Sequence, residues 1–228
     1  MSVHASELSR SRFQESVELH KIREASRWFD CLAAAALLLF ASPLLAAIAA
    51  AIFLETGLPL VFRQKRVGRN GNLFTLLKFR TMRVGSSGPS ITVGGDSRVT
   101  RAGKVLRKFK LDELPQLWNV VRGDMSLVGP RPEVPEYVDA SDPVWQAVLR
   151  VRPGITDPAS IAFRNEEELL AKASDPFQFY KENLLPAKLS LNLAYLEKRS
   201  LWLDIRVLLE TARCAVLPGH AGSKQDGI

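Results

Sequence analysis

Histidine is nearly missing from the 228 residues: the three present, His4, His20 and His220, all lie in the terminal segments. A Ser-His-Asp triad, a Cys-His pair or an HExxH zinc site therefore has no material in the body of the chain. Cysteine is as scarce. Cys31 and Cys214 make no disulfide framework, Cys31 heads an apolar run, and both fit a reducing compartment, so the globular part is expected to face the cytosol. No GxxxxGK[ST] phosphate loop occurs. Acids are missing from a long internal block as well: residues 61–111 hold thirteen Lys or Arg against one acid, Asp96, a local balance of +12 in a chain of net charge +7. Such a block calls for a polyanion, and nucleic acid, anionic lipid headgroups and nucleotide diphosphates all qualify. Catalysis in this chain must rest on carboxylates, cations and metal.

What is present begins with residues 31–54, twenty-four in a row without a charge. That length suits a hydrocarbon core of roughly 30 Å and exceeds a signal-peptide core. An Ala- and Leu-rich run with no polar face is a poor core helix for a soluble protein. Two features argue against a plain transmembrane span. Ser42 and Pro43 lie at the midpoint, where proline removes a backbone hydrogen bond and kinks a helix. Basic residues flank both ends: Lys21, Arg23 and Arg27 before, Arg63, Lys65, Arg66 and Arg69 after. The positive-inside tendency keeps both flanks cytoplasmic. A helix-break-helix hairpin satisfies both features, each half spanning about 16 Å at the standard helical rise. A single crossing stays open, because spanning helices also carry proline kinks.

Residues 60–82 turn to strand. VFRQKRV and LFTLLKF flank Arg69-Asn70-Gly71-Asn72, and Asn-Gly is the strongest short hairpin signal, so a β-hairpin is predicted. Lys78, Arg80 and Arg83 project from its end, toward substrate or toward lipid headgroups. Residues 84–95 read as a flexible loop. Thr100 is placed to cap a helix running to about Lys110, with Val105, Leu106 and Phe109 inward and Arg101, Lys104, Arg107 and Lys108 available outward.

The stretch that organises the chain is KLDELPQLWNVVRGDMSLVGPRP, residues 110–132. Leu111, Leu114, Leu117, Trp118 and Val121 fall at helical spacing, which predicts a helix beginning near Asp112, with Pro115 tolerated in its first turn. Asp112 and Glu113 then meet unpaired backbone N–H groups and the positive end of the helix dipole, which favour the ionised carboxylate and hold phosphate nearby. From DELPQL alone an ordinary N-cap is the simpler account. Downstream, Gly123, Gly129, Pro130 and Pro132 stiffen the backbone and present Arg131 in a fixed direction, which suits bidentate phosphate recognition. Residues 134–150 read as a helix with Trp145, Val148 and Leu149 apolar. The following VRPGIT is a Pro-Gly loop that carries Arg152. Glu166, Glu167 and Glu168 read as a solvated helix face, and residues 188–217 as one long amphipathic helix, packed on the domain or lying in the membrane interface.

This chain resembles the bacterial sugar transferases, the monotopic polyprenol-phosphate phosphoglycosyl transferases. The likeness covers residues 28–217 through RQKRVGRNG, LLKFRTM, DSRVTRAGKVLRKFKLDELPQLWNV, VRPGIT and YLEKRSLWLDIRVLLET. The resemblance implies an Asp-Glu dyad at Asp112 and Glu113 with the Asp as nucleophile, a phosphate-binding arginine at Arg107, a site role for Arg152, and a re-entrant membrane hairpin. It implies transfer of a phosphosugar from a nucleotide diphosphate sugar, a uridine one foremost, to polyprenol phosphate at the cytosolic face of the bacterial inner membrane. Two anions meet in such a reaction. Mg²⁺ bound through Asp112 is therefore expected, with Arg107, Arg131 and Lys78 as clamps and Arg80 as a further phosphate contact. Glu113 would orient the metal or accept a proton. The expected fold is α+β, mainly α with a small β-hairpin: a lead-in over 1–27, the membrane hairpin over 28–57, a compact catalytic domain with interfacial helices over 58–217 and a disordered tail over 218–228. A homodimer stays open. The competing reading is a non-catalytic, membrane-attached basic module for anionic lipid or nucleic acid. Nucleic acid is disfavoured because Phe62, Phe74, Phe79 and Phe109 serve core packing better than base stacking. A magnesium-dependent phosphatase would differ only in using water as acceptor.

Overall fold

The computed structural model describes residues 27–85 and 92–216. The lead-in, the middle of the loop read over 84–95, and the tail lie outside them. Helix α1 (Arg27–Thr56) is followed by strands β1 (Val61–Val67) and β2 (Leu73–Phe79). Next come α2 (Arg101–Lys108), a 3₁₀ turn (Leu111–Glu113), α3 (Gln116–Arg122) and β3 (Ser126–Val128). After a 3₁₀ turn (Pro135–Tyr137) the chain forms α4 (Pro143–Val148), β4 (Gly154–Thr156), α5 (Pro158–Ala162), α6 (Glu166–Lys172) and α7 (Pro176–Phe179). A π-helical turn (Tyr180–Leu184) leads into α8 (Leu185–Glu197), and α9 (Leu201–Val216) ends the described chain. The fold is mainly helical with little sheet, as expected.

Helix α1 is long and apolar enough to cross a membrane, with a mean hydropathy of 2.5 in a window only 11% buried, which is not the burial of a core helix. Trp28, Leu32, Leu39, Phe40 and Leu54 are exposed. The buried residues Asp30, Ala34, Ile48 and Ile52 make one stripe against the rest of the protein. The expected interruption at Ser42-Pro43 is not a break in the helix, because α1 continues through Pro43. The Ser42 hydroxyl donates to Leu39 O at 2.7 Å, the carbonyl that the proline nitrogen leaves without its helical donor. Both ends of α1 are tied to the same body. Near its start Asp30 Oδ2 accepts from Ser126 Oγ at 2.5 Å. At its end the Glu55 carboxylate accepts the backbone N–H groups of Arg101 and Ala102 at 2.8 and 2.9 Å, capping α2 from outside.

Strands β1 and β2 pair antiparallel, Val61 with Phe79 through Val67 with Leu73. Asn70 and Gly71 take left-handed φ values of 57° and 77° in the connecting turn, which explains why Asn-Gly stands there. A third strand is replaced by one side chain. The fully buried Asn119 of α3 accepts from Leu77 N at 3.1 Å and donates to Thr75 O at 2.8 Å, so α3 fixes the hairpin through its backbone. Strands β3 and β4 form a short parallel pair, Ser126 with Gly154 and Val128 with Thr156. Gly129 and Gly154 touch there so closely that a Cβ on Gly154 would lie 2.1 Å from Gly129 N.

Three expected helices are shorter than their apolar patterns. Thr100 does cap α2, accepting from Gly103 N, but of its apolar residues Leu106 is buried while Val105 is exposed. Residues 134–150 do not form one helix: Pro135 and Pro143 open separate turns, and Asp142 caps α4 by accepting from Val144 N. The long helix expected from Lys188 is split into α8 and α9, and the Ser200 hydroxyl accepts from Leu203 N in the first turn of the second.

Candidate active site

The helix expected to start at Asp112 starts at Gln116. Lys110 adopts a left-handed φ of 57°, a costly conformation for a residue with a Cβ. The chain then makes one 3₁₀ turn over Leu111–Glu113 before α3. Both carboxylates are buried in that turn. The side of α3 facing the core is Gln116, Leu117, Asn119 and Val120, while Trp118 is exposed. Of the predicted stripe, Leu117 is buried and Leu111, Leu114 and Val121 pack half-buried against the core, so Trp118 alone departs from it.

Glu113, rather than Asp112, is the residue the cations seize. Arg131 Nη2 donates to Glu113 Oε1 at 2.5 Å and its Nη1 to Oε2 at 3.2 Å, a forked pair, and Lys78 Nζ lies 2.9 Å from Oε1. Burial by itself pushes the Glu113 carboxyl up, but Arg131 and Lys78 outweigh it and hold it well below the usual carboxylate range. Glu113 in turn raises the Arg131 guanidinium, while burial lowers the Lys78 ammonium. Asp112 goes the other way. Burial pushes its carboxyl up, opposed by the charge of Lys78 and reinforced by that of Glu113. The expected stabilisation of ionised Asp112 by a helix terminus is thus absent, because no α-helix begins there. Two adjacent carboxylates are driven apart in acidity, the pattern that separates acid–base roles in active sites. Asp112 Oδ1 is buried without a hydrogen-bond partner.

The other expected contacts are distributed more widely. Arg107 Nη2 pairs with Glu167 Oε1 at 2.6 Å and contributes only a smaller field at Asp112. Glu166 pairs with Lys188 at 2.9 Å, so two of the three glutamates read as a solvated face are engaged in ion pairs. Arg80 is buried at the end of α1, where its Nη2 donates to Thr56 Oγ1 and, at 2.8 Å, to Gly57 O. It fastens α1 to the hairpin. Arg152 Nε donates to Gly123 O at 3.1 Å, at the far end of α3 from the carboxylates. Ser42 and Pro43 belong to the exposed outer face of α1.

A family model for bacterial sugar transferases matches residues 21–218. The chain belongs to that family. This sugar transferase is 40% identical over 191 residues to the UDP-glucose:undecaprenyl-phosphate glucose-1-phosphate transferase of Caulobacter vibrioides, covering 81% of the chain and 67% of that protein. It is 40% identical over 192 residues to the UDP-N-acetylgalactosamine-undecaprenyl-phosphate N-acetylgalactosaminephosphotransferase of Aeromonas hydrophila, covering 82% of the chain but 42% of the relative. With the exopolysaccharide production protein ExoY of Rhizobium meliloti it shares 37% identity over 174 residues, 68% of the chain and 76% of the relative.

Among the described residues of the transferase, no three His, Cys, Asp or Glu side chains gather into a metal cluster. The site nonetheless fits a Mg²⁺ ion of the kind bound by one carboxylate together with substrate phosphates, since Asp112 offers a buried oxygen that nothing else uses. Sequence reasoning missed Asn119, Asp157 and Glu133, the last a buried carboxylate 3.5 Å from Arg66 and 3.7 Å from Lys188. Asp157 was legible: Asp-Pro before a small-residue helix is a cap signature, and its side chain does accept from Ser160 N. Asn119 left no signal, because a polar residue on a short helix normally reads as solvent-facing.

Proposed function

We propose that this protein transfers a phosphosugar from a UDP-sugar to undecaprenyl phosphate at the cytosolic face of a bacterial membrane, with Asp112 as nucleophile. The observation that carries the reading is the division of labour between neighbours: Glu113 is consumed by Arg131 and Lys78, whereas Asp112 keeps a buried oxygen free of any partner. The names of the relatives supply the donor and acceptor classes.

In the first step an Asp112 oxygen bonds to the sugar-bearing phosphorus, the bond from that phosphorus to the bridging oxygen breaks, and uridine monophosphate departs with the electron pair. In the second, a phosphate oxygen of undecaprenyl phosphate bonds to the same phosphorus and the Asp112 carboxylate leaves. Arg131 and Lys78, already positioned on Glu113, supply charge for the donor phosphates, and Arg107 does so from α2. When bound, Mg²⁺ would be held through Asp112 and would supply neutralisation of the donor's phosphate charge. Because Lys78 and Arg107 are partnered within the fold, as are Arg66 with Glu133 and Arg98 with Asp96, the basic block is less available to an external polyanion than its count suggests. That weighs against a non-catalytic nucleic-acid module.

The membrane arrangement belongs to the same proposal. A spanning helix puts its ends on opposite sides of the bilayer, whereas both ends of α1 bind one globular body. A monotopic placement, with the apolar outer face of α1 in the cytosolic leaflet, accommodates both facts. The test is a panel of nucleotide sugars with Mg²⁺, first without acceptor. One equivalent of uridine monophosphate and a phosphosugar mass on Asp112 are expected, both abolished by Asp112→Asn, with turnover on addition of undecaprenyl phosphate. A strictly sequential rate law without adduct would sink the nucleophile assignment.

A further inference from the structure

The turn that carries Arg131 is fastened at four consecutive residues. Pro130 O accepts from Gly154 N at 3.0 Å, Arg131 N donates to Asp157 Oδ2 at 2.7 Å, Pro132 O accepts from Arg66 Nη1 at 3.0 Å, and Glu133 O accepts from Val67 N at 2.9 Å. Of these bonds, the one made by Asp157 acts on Arg131 itself. Asp157 is 0% exposed, at the end of β4. Its other oxygen, Oδ1, accepts from Ser160 N at 2.5 Å and caps the five-residue α5.

The bland account is that Asp157 is only this cap. A cap needs one oxygen and works at the surface, where Asn or Ser serve as well. A carboxylate wholly removed from water is costly unless each oxygen is satisfied and a cation compensates it. Both conditions are met by Arg131: its N–H takes the second oxygen, and the Asp157 charge acts on its guanidinium. We propose that Asp157 is a positioning residue, which fixes the Arg131 peptide from beneath so that the guanidinium lies forked across Glu113. Its functional consequence rests on the phosphate-clamp reading of Arg131.

The full chain in detergent supplies the test. Phenylglyoxal labelling, quantified by peptide mass, reads how well each arginine is held, with the buried Arg80 and Arg199 as internal references. Asp157→Ala is expected to raise labelling severalfold at Arg131 and leave the two references unchanged. With the nucleotide sugar selected by the panel, kcat/KM should fall about tenfold or more, the scale of a hydrogen bond to a charged group. In an Arg131→Ala background the same substitution should change kcat/KM by less than about twofold, because two residues acting through one interaction are not additive. Asp157→Asn keeps one acceptor oxygen and should fall between. Labelling that rises equally at all three arginines, or an undiminished loss in the Arg131→Ala background, overturns the proposal. Should the alanine variant not fold, labelling of Asp157→Asn decides by the same criterion. Arg131 released by Asp157→Ala, while Arg131→Ala itself leaves turnover intact, would uphold the positioning and overturn the clamp.

Discussion

Replacing Glu113 with glutamine keeps the shape of the side chain and removes the charge that two cations share. Arg131 and Lys78 are then left as partly buried cations with one amide oxygen between them. Breaking a buried ion pair from one side costs about 3–5 kcal/mol. Here the cations retain 27% and 19% of their side-chain exposure, so water recovers part of that and about 2–4 kcal/mol is expected at pH 7. For a chain of this size that corresponds to roughly 4–16 °C in melting temperature. The sign with pH follows from the depressed Glu113 carboxyl. Its folded value lies well below the ordinary glutamate value of 4.5, so its contribution is fully present above that pH and is lost as pH falls through the lower folded value. Thermal melts of wild type and Glu113→Gln, in the same detergent, should therefore differ most near neutrality and converge at acid pH. A gap that stays constant down to about pH 3, or no loss at pH 7, would refute the assignment of Glu113 as the structural partner of the two cations.

The neighbouring carboxylate predicts the opposite. Asp112 has a raised folded value, so its ionisation above about pH 4 costs stability, and Asp112→Asn should melt higher than wild type at pH 7 with the difference shrinking in acid, even as activity is lost. Arg131→Ala should lower kcat/KM about a hundredfold or more, the loss typical of one preorganised donor, whereas Lys108→Ala, an exposed residue of α2, should stay within about twofold in the same assay. Gly154→Ala drives a Cβ into the Gly129 backbone and should cost more than about 3 kcal/mol, seen as loss of folded protein on size-exclusion chromatography.

Much of this architecture is local and was legible as such. The strand-like runs over residues 61–67 and 73–79 with Asn-Gly between them determine a hairpin, because the turn demands two left-handed residues and the strands need only each other. The uncharged run determines an apolar helix, since nothing in it can face water. The residues of the site were likewise present in one stretch around Asp112, Glu113 and Arg131. Which cation meets which carboxylate was not. Lys78 and Arg131 reach Glu113 across 35 and 18 residues, and Arg107 turns to Glu167 across 60, distances over which sequence patterns carry no register. The helix start moved from Asp112 to Gln116 because Lys110 enters a left-handed turn and the LDE segment closes as 3₁₀. Burial then reversed the expected acidity of Asp112, a quantity set by everything packed around the side chain and so decided only by the tertiary structure.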